Sequence, residues 1–203
     1  DRDIEVILVD NGSTDNTFQK LSNMNLPKNI ILHKIPINKG YGNGILEGLK
    51  KAKGEILSWT HADLQTDVTD VLKGFKLIEK STGNSIVKGK RSNRNMFDNI
   101  FTIFMSIVCT IILRKSLFDI NAQPKIFPKN FYNQIKDRAP DDFSLDLYLL
   151  YMAKKLNYSI LEFPVFFNKR LYGEAKGGGS IKTKLKLSIR TFSYILDIYR
   201  NER

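Results

Sequence analysis

Cysteine is almost absent from this chain: Cys109 is the only one in 203 residues. That excludes an internal disulfide framework and any zinc site built on thiolates. No long hydrophobic run is present. The longest, Ile100 to Leu113, spans 14 residues and is interrupted by Thr102, Ser106 and Thr110, short of the roughly 20 needed to span a bilayer. No signal peptide opens the chain, and no internal repeat or low-complexity tract interrupts it. Acidic residues are in deficit, with Asp+Glu 21 against Lys+Arg 32, a net charge of +11. Such a surface attracts anions: nucleotides, nucleic acid or an anionic membrane face. No nucleic-acid-binding motif accompanies the charge, which argues against nucleic acid as the partner.

What is present fits one globular domain, with 42% apolar and 11% aromatic residues. The chain begins abruptly, with Asp1-Arg2-Asp3 leading straight into Ile4–Val9, which reads as a buried strand; the expectation is a fragment whose upstream part is missing. Strand and helix patterns then alternate. Helices are expected over Asp15–Met24 (capped by Ser13 or Thr14), Tyr41–Lys53 and Asp67–Lys80, and strands over Ile30–His33, Glu55–Trp59 and Ser85–Lys88. This order at short spacing predicts a parallel α/β sheet. Beyond Arg94 come a long apolar helix, Met96–Leu117, a short strand at Ile126-Phe127 and a helix over Leu145–Leu156. Tyr158–Phe167 is strand-like but broken by Pro164. Gly177–Gly179 is a flexible loop. Ile181–Tyr199 closes the chain as an amphipathic helix with Ile181, Leu185, Ile189, Phe192 and Leu196 on one stripe.

Three segments carry chemistry. Val9-Asp10-Asn11-Gly12-Ser13-Thr14-Asp15 follows a strand, and in open α/β sheets ligands sit at the carboxyl ends of strands. Asp10 there can accept from a base N–H or a ribose hydroxyl; Asn-Gly equally makes a turn before a helix cap. Asn38-Lys39-Gly40-Tyr41-Gly42-Asn43-Gly44 offers backbone for close approach to a ligand, or a plain flexible loop, and its spacing does not meet the dinucleotide-binding fingerprint G-x-G-x-x-G. The third, Ser58 to Asp67, ends a buried strand in a polar cluster. Asp63 can give a hard oxygen to a divalent cation bound to a diphosphate. His61, two residues away on an extended chain, either ligates the same ion or only hydrogen-bonds at the strand end. Asp67 reads as a helix cap.

The runs Asp10–Thr17 (DNGSTDNT), Asn38–Gly44 and His61–Gln65 (HADLQ) together resemble family 2 glycosyltransferases with the GT-A fold. Within them, the likeness is to polyprenyl-phosphate sugar transferases typified by dolichyl-phosphate mannose synthase. The resemblance implies a GT-A-like (Rossmann-like), mostly parallel α/β sheet flanked by helices, whose first strand is missing here. It implies Asp10 at the nucleotide base, with Asn11, Lys39, Gly40 and Ala62 also on the nucleotide side. Asp63 and Gln65 then contact metal (Mn²⁺ or Mg²⁺) or diphosphate, with His61 in place of the family's first Asp. Gly89-Lys90-Arg91 looks like the family's Gly-x-Arg segment. Asp119–Lys125 sits where the family has Asp, then Ser-Gly-Phe-Arg, with Lys125 for the Arg. Arg170-Leu-Tyr-Gly-Glu-Ala-Lys176 resembles Arg-x-x-Gly-Glu-Ser-Lys.

The implied activity is inverting transfer of a sugar from a UDP- or GDP-linked donor. The implied acceptor is a polyprenyl phosphate at the cytoplasmic face of a membrane, or, as the alternative, a saccharide hydroxyl in envelope polysaccharide assembly. A degenerate homologue that binds donor without turnover is a further alternative, motivated by His61. Asp63, Arg91, Lys125, Arg170 and Lys176 are the candidates for stabilising the leaving diphosphate, and Asp142 is a candidate acceptor-side base or else an N-cap for the helix from Leu145. Residues 96–117 read as a membrane-interface helix or a buried core helix. Residues 181–201 read as a basic amphipathic helix suited to an anionic leaflet, or as a solvated face: from Phe166 to Arg203 there are nine Lys/Arg against three Asp/Glu.

Overall fold

A computed structural model describes residues 3–92, 96–168 and 181–201. The chain divides into two compact units, one of residues 1–57 with 128–148, the other of residues 58–127 with 149–203.

In the first unit, β1 (Val6–Asn11) pairs in parallel with β2 (Ile30–Ile35), with Val6 opposite Ile30 and Asp10 opposite Lys34. Between them runs α1 (Thr17–Ser22). Neither Ser13 nor Thr14 caps it, contrary to expectation. The Asp15 carboxylate takes the Thr17 N–H at 3.0 Å instead, because an acceptor two residues ahead closes the first turn directly. The helix α2 (Tyr41–Lys51) lies against β1, and Gly48 lets it come close: a Cβ there would stand 2.9 Å from a Val9 methyl. Later in the chain, α5 (Lys129–Ile135), a 3₁₀ turn at Lys136–Arg138 and the start of α6 (Leu145–Lys155) complete this unit. Phe131, Ile135, Leu145, Leu147 and Tyr148 are among its buried side chains.

A second sheet has the order β3 (Ile56–Trp59), β5 (Lys125–Pro128), β4 (Ser85–Ser92), β6 (Ser159–Phe166). It is mixed: β4 runs parallel to β6 but antiparallel to β5, with Val87 opposite Ile126. Alternation of apolar and polar residues marks a strand but carries no sign of its direction, so within the expected mostly parallel sheet the antiparallel β5 is not foreseen. Pro164 does not break β6. That strand is at the sheet's edge, where a residue lacking an N–H is tolerated, and Pro164 keeps register opposite Lys90. The helix α3 (Asp70–Glu79) packs on β4, with Gly74 leaving room for the Ile126 Cδ1 and the Phe163 ring. Two longer helices, α4 (Met96–Leu113) and α7 (Ile181–Asn201), pack on each other. Buried in α4, Cys109 has its thiol pushed up to about 11 by desolvation. Among the described residues no helix is long and apolar enough to cross a membrane.

Candidate functional site

In the first unit the polar end of β1 is built on backbone geometry. Asp10 is buried, and its Oδ1 accepts the Ser13 N–H at 3.0 Å. Its Oδ2 is also buried and has no hydrogen-bond partner. Asn11 donates to the Gly40 carbonyl at 2.8 Å, while its own Oδ1 is buried and unpartnered. Two buried acceptors without donors among the described residues, on consecutive positions at a strand's carboxyl end, suit a ligand that brings N–H or O–H groups. Gly12 turns the chain at φ +69°, a conformation that disfavours a side chain.

The glycine-rich loop packs closely on the protein's own backbone. Gly40, at φ +141°, and Gly42 press against the backbone of residues 140–142, where a Cβ would stand 2.6 Å from the Asp141 carbonyl oxygen or carbon respectively. The Asn43 N–H donates to the Asp141 carbonyl at 2.7 Å. The close approach is therefore to the protein's own chain, while Lys39 remains exposed. Tyr41 stacks on Phe143 with ring centroids 4.9 Å apart and donates its hydroxyl to Asp146 at 2.9 Å. Asp142 takes the Ser144 N–H at 2.8 Å, and its carbonyl takes that of Leu145, the contacts of a residue opening α6. A cavity of about 370 Å³ beside α2 is lined by Glu47, Tyr132 and Asp137, among others, with Asn43 of the glycine-rich segment at its wall. Burial, with Glu47 and Asp137 nearby, pushes the Tyr132 phenol up.

In the second unit, β3 ends on buried Trp59, set edge-on to Phe127, and the chain then turns through His61–Gln65. Asp63 Oδ1 accepts the Gln65 N–H at 3.2 Å, and Leu64 sits at φ +59°. Ala62 is exposed in the turn, and His61 and Asp63 are half-buried. Gln65 anchors the turn to the end of the strand segment after β6: its carbonyl takes the Asn168 N–H at 2.8 Å and its amide donates back at 3.2 Å. Asp67, expected as a helix cap, accepts the Thr69 N–H at 2.8 Å just ahead of α3.

Arg91, near the end of β4, is clamped. Its Nε donates to Asp119 Oδ1 at 2.8 Å, its Nη2 donates to the same oxygen, and its backbone N–H donates to Oδ2 at 2.8 Å. The guanidinium also lies over the Phe167 ring at 5.6 Å. Burial alone pushes the Asp119 carboxyl up, but the Arg91 contacts prevail and hold it below the usual carboxylate range. Asp119 is the residue that sequence reasoning passed over. It stands at the head of the quoted Asp119–Lys125 segment, and its backbone adopts φ +43°, which no spacing reveals.

Lys125 requires a correction. It is 0% exposed, and its ammonium donates to the Ile120 and Ala122 carbonyls at 2.7 and 2.8 Å. Placed on β5 in the middle of the sheet, it binds the loop before it and is not presented to an anionic ligand. Arg170 and Lys176 lie outside the described residues.

For a divalent metal, the donors at the β3 turn are one carboxylate, one imidazole and one amide. Among the described residues, no group of three His, Cys, Asp or Glu is placed to hold an ion. One protein carboxylate fits a cation that takes most of its ligands from a diphosphate and water, and it does not fit a cage made by protein alone.

The fold is thus an α/β scaffold with a carboxylate turn after one strand and a clamped arginine at the end of another. The chain belongs to Glycosyl transferase family 2, whose pattern matches residues 1–139. It is 28% identical over 194 residues to the dolichyl-phosphate beta-glucosyltransferase ALG5A of Trichomonas vaginalis, covering 88% of this chain and 58% of that protein. To the dolichyl-phosphate beta-glucosyltransferase of Dictyostelium discoideum it is 29% identical over 181 residues, covering 79% and 54%. The chain thus spans somewhat over half the length of these curated relatives.

Among solved structures, glucosyl-3-phosphoglycerate synthase from Mycobacterium tuberculosis, in complex with Mn²⁺, UDP and phosphoglyceric acid, superposes with a TM-score of 0.71. The identity is 14%, over 96% of this chain and 67% of that one. Residues 1–349 of S. aureus TarS give a TM-score of 0.57 at 18% identity, over 81% and 51%. These likenesses establish the fold.

Proposed function

We propose that this chain transfers a sugar, with inversion, from a nucleoside-diphosphate donor to a polyprenyl phosphate at the cytoplasmic face of a membrane. The observation that carries this is the pairing, in one unit of a family 2 chain, of the Asp63 turn with an arginine whose guanidinium is fixed by Asp119. The acceptor is supported by the likeness to two dolichyl-phosphate glucosyltransferases.

The chemistry follows from where charge moves. A phosphate oxygen of the acceptor attacks the anomeric carbon from the face opposite the leaving group. The carbon–oxygen bond to the diphosphate breaks, and its electron pair leaves with the diphosphate. A polyprenyl phosphate is already an anion at neutral pH, so no general base is required. Arg91 arrives preorganised, since its planar fork is held before the substrate binds and need not be ordered during reaction. Asp63, with His61 and Gln65 beside it, would hold the divalent cation, which when bound neutralises charge on the diphosphate. Asp10 and Asn11 bring buried acceptors suited to a base and ribose. Arg170 and Lys176 are proposed as further cations on the strength of their motif.

A saccharide acceptor would need a base; of the carboxylates near α6, Asp142 takes backbone N–H and Asp146 is buried under Tyr41, while Asp141 is exposed.

The test offers the protein polyprenyl phosphate in detergent with UDP- and GDP-sugars, in Mn²⁺, Mg²⁺ or EDTA, and reads the lipid by mass spectrometry. A glycosylated lipid phosphate that vanishes with EDTA is expected. Nucleoside diphosphate released only with a saccharide acceptor would overturn the reading. Replacing His61 by Asp separates a degenerate homologue, which would gain activity, from a working variant, which would lose it.

A further inference from the structure

The middle of β4 carries a charge where its neighbours are uncharged. Ser85 to Gly89 are all buried, and Lys88 among them is 1% exposed. An ammonium taken out of water needs partners that replace its hydration, and for the fold alone an apolar side chain of similar volume often serves as well. Lys88 has such partners for each of its N–H bonds. They are Glu162 Oε1 at 2.8 Å, across the parallel pairing with β6, the Gly89 carbonyl at 3.3 Å and the Asp119 carbonyl at 3.4 Å.

The last of these bears on the site. Asp119 clamps Arg91, and its φ of +43° is a left-handed conformation that a residue other than glycine keeps when its surroundings hold it there. Two cations of β4 hold it: Arg91 takes the carboxylate and Lys88 takes the main-chain carbonyl. The charge of Lys88 also acts on the Asp119 carboxyl, in the same lowering sense as that of Arg91. Around Lys88 stand Glu162, whose other oxygen is 3.9 Å from the Lys90 ammonium, and Lys125, in register opposite on β5. The rest of the loop is held by cations too. Lys90 lies 6.0 Å from the Phe118 ring centroid, and Lys125 bonds the Ile120 and Ala122 carbonyls.

We infer that Lys88 is a positioning residue for the transfer reaction: anchored by Glu162, it fixes Asp119 and, through Asp119, the guanidinium of Arg91. The inference rests on the proposed function, which sets Arg91 against the leaving diphosphate. A fork displaced by a fraction of an ångström meets that charge poorly, so the effect belongs to the reaction step.

The experiment compares Lys88→Met with the wild type by two measurements on the whole chain. One is NMR titration of the Asp119 side-chain carboxyl, identified by its loss in Asp119→Asn; it needs no substrate. The other is kcat for sugar transfer at saturating donor and acceptor. The Asp119 midpoint is expected to rise, because a neighbouring positive charge is gone, and kcat to fall at least about tenfold. In an Asp119→Asn background the same substitution should lower kcat by less than about twofold further, since both act through one contact. A lysine that only supports the fold would lower the melting temperature and move neither the midpoint nor kcat. Should Lys88→Met not fold, Lys88→Met with Glu162→Leu removes both members of the pair, leaves neither unpaired and is read by the same two measurements.

An unmoved Asp119 midpoint would overturn the inference whatever the activity. So would an unchanged kcat in an active protein, or effects of Lys88→Met and Asp119→Asn that simply multiply. A midpoint that rises in a chain whose wild type transfers sugar to no acceptor defeats the proposed reaction and upholds the grip of Lys88 on Asp119.

Discussion

In the proposed site Arg91 is held by Asp119, and Asp63 takes the Gln65 N–H. The expected effect of Asp63→Ala is a loss of transfer of about a hundredfold or more, read as kcat at saturating donor, because the leaving charge loses its cation anchor. Asp119→Asn tests the clamp. It removes one charge from a buried pair, so a stability loss of about 3 kcal/mol is expected by chemical denaturation, together with a fall in kcat. The pH dependence has a definite sign. The folded Asp119 carboxyl is held below its ordinary value, so its stabilising effect is complete above about pH 4 and is lost as pH falls through the lowered folded value. The gap in melting temperature between wild type and Asp119→Asn should therefore be widest near neutrality and close in acid. Lys125→Met should lower stability by about 1–3 kcal/mol by leaving two buried carbonyls unpaired, yet leave transfer per folded molecule intact. A large loss of kcat there would restore Lys125 to the active site.

At the scale of elements, the glycines at the start of α2 and within β4 set the distances. Gly40→Ala forces a Cβ to 2.6 Å from the Asp141 carbonyl oxygen at φ +141°, and Gly89→Ala to 2.2 Å from that of Gln123. Each should cost about 1–3 kcal/mol, measured as a shift in denaturant midpoint. These contacts also show what the sequence could and could not convey. Local information was legible: the β1 end at Asp10, the His61–Gln65 turn and the order of strands and helices through β4 follow from residue pattern and motif. Facts that depend on residues distant in the chain were not. In Asn38–Gly44 glycine reports closeness without naming the neighbour, and for Gly40 and Gly42 that neighbour includes residues 140–142. The direction of β5 and the edge position that admits Pro164 depend on pairing partners that no local window contains. Lys125 looks like a free cation until the carbonyls of Ile120 and Ala122 are seen around its ammonium.

At the scale of the molecule, donor binding should be visible without any acceptor. If UDP or GDP binds the folded chain alone, a concentration about a hundred times Kd stabilises it by about 2.7 kcal/mol. A thermal shift with one nucleotide and not the other would identify the donor class, and its loss in Asp10→Ala would place the base at β1. The surplus of eleven positive charges predicts that such a shift weakens with salt. Finally, the buried thiol of α4 makes the whole chain chemically silent towards maleimides near neutral pH, since burial hides the sulfur and keeps it protonated. A single cysteine introduced at exposed Leu64 would then be the sole reactive handle, and a fluorophore or spin label there would report the motion of the Asp63 turn in the otherwise unaltered protein.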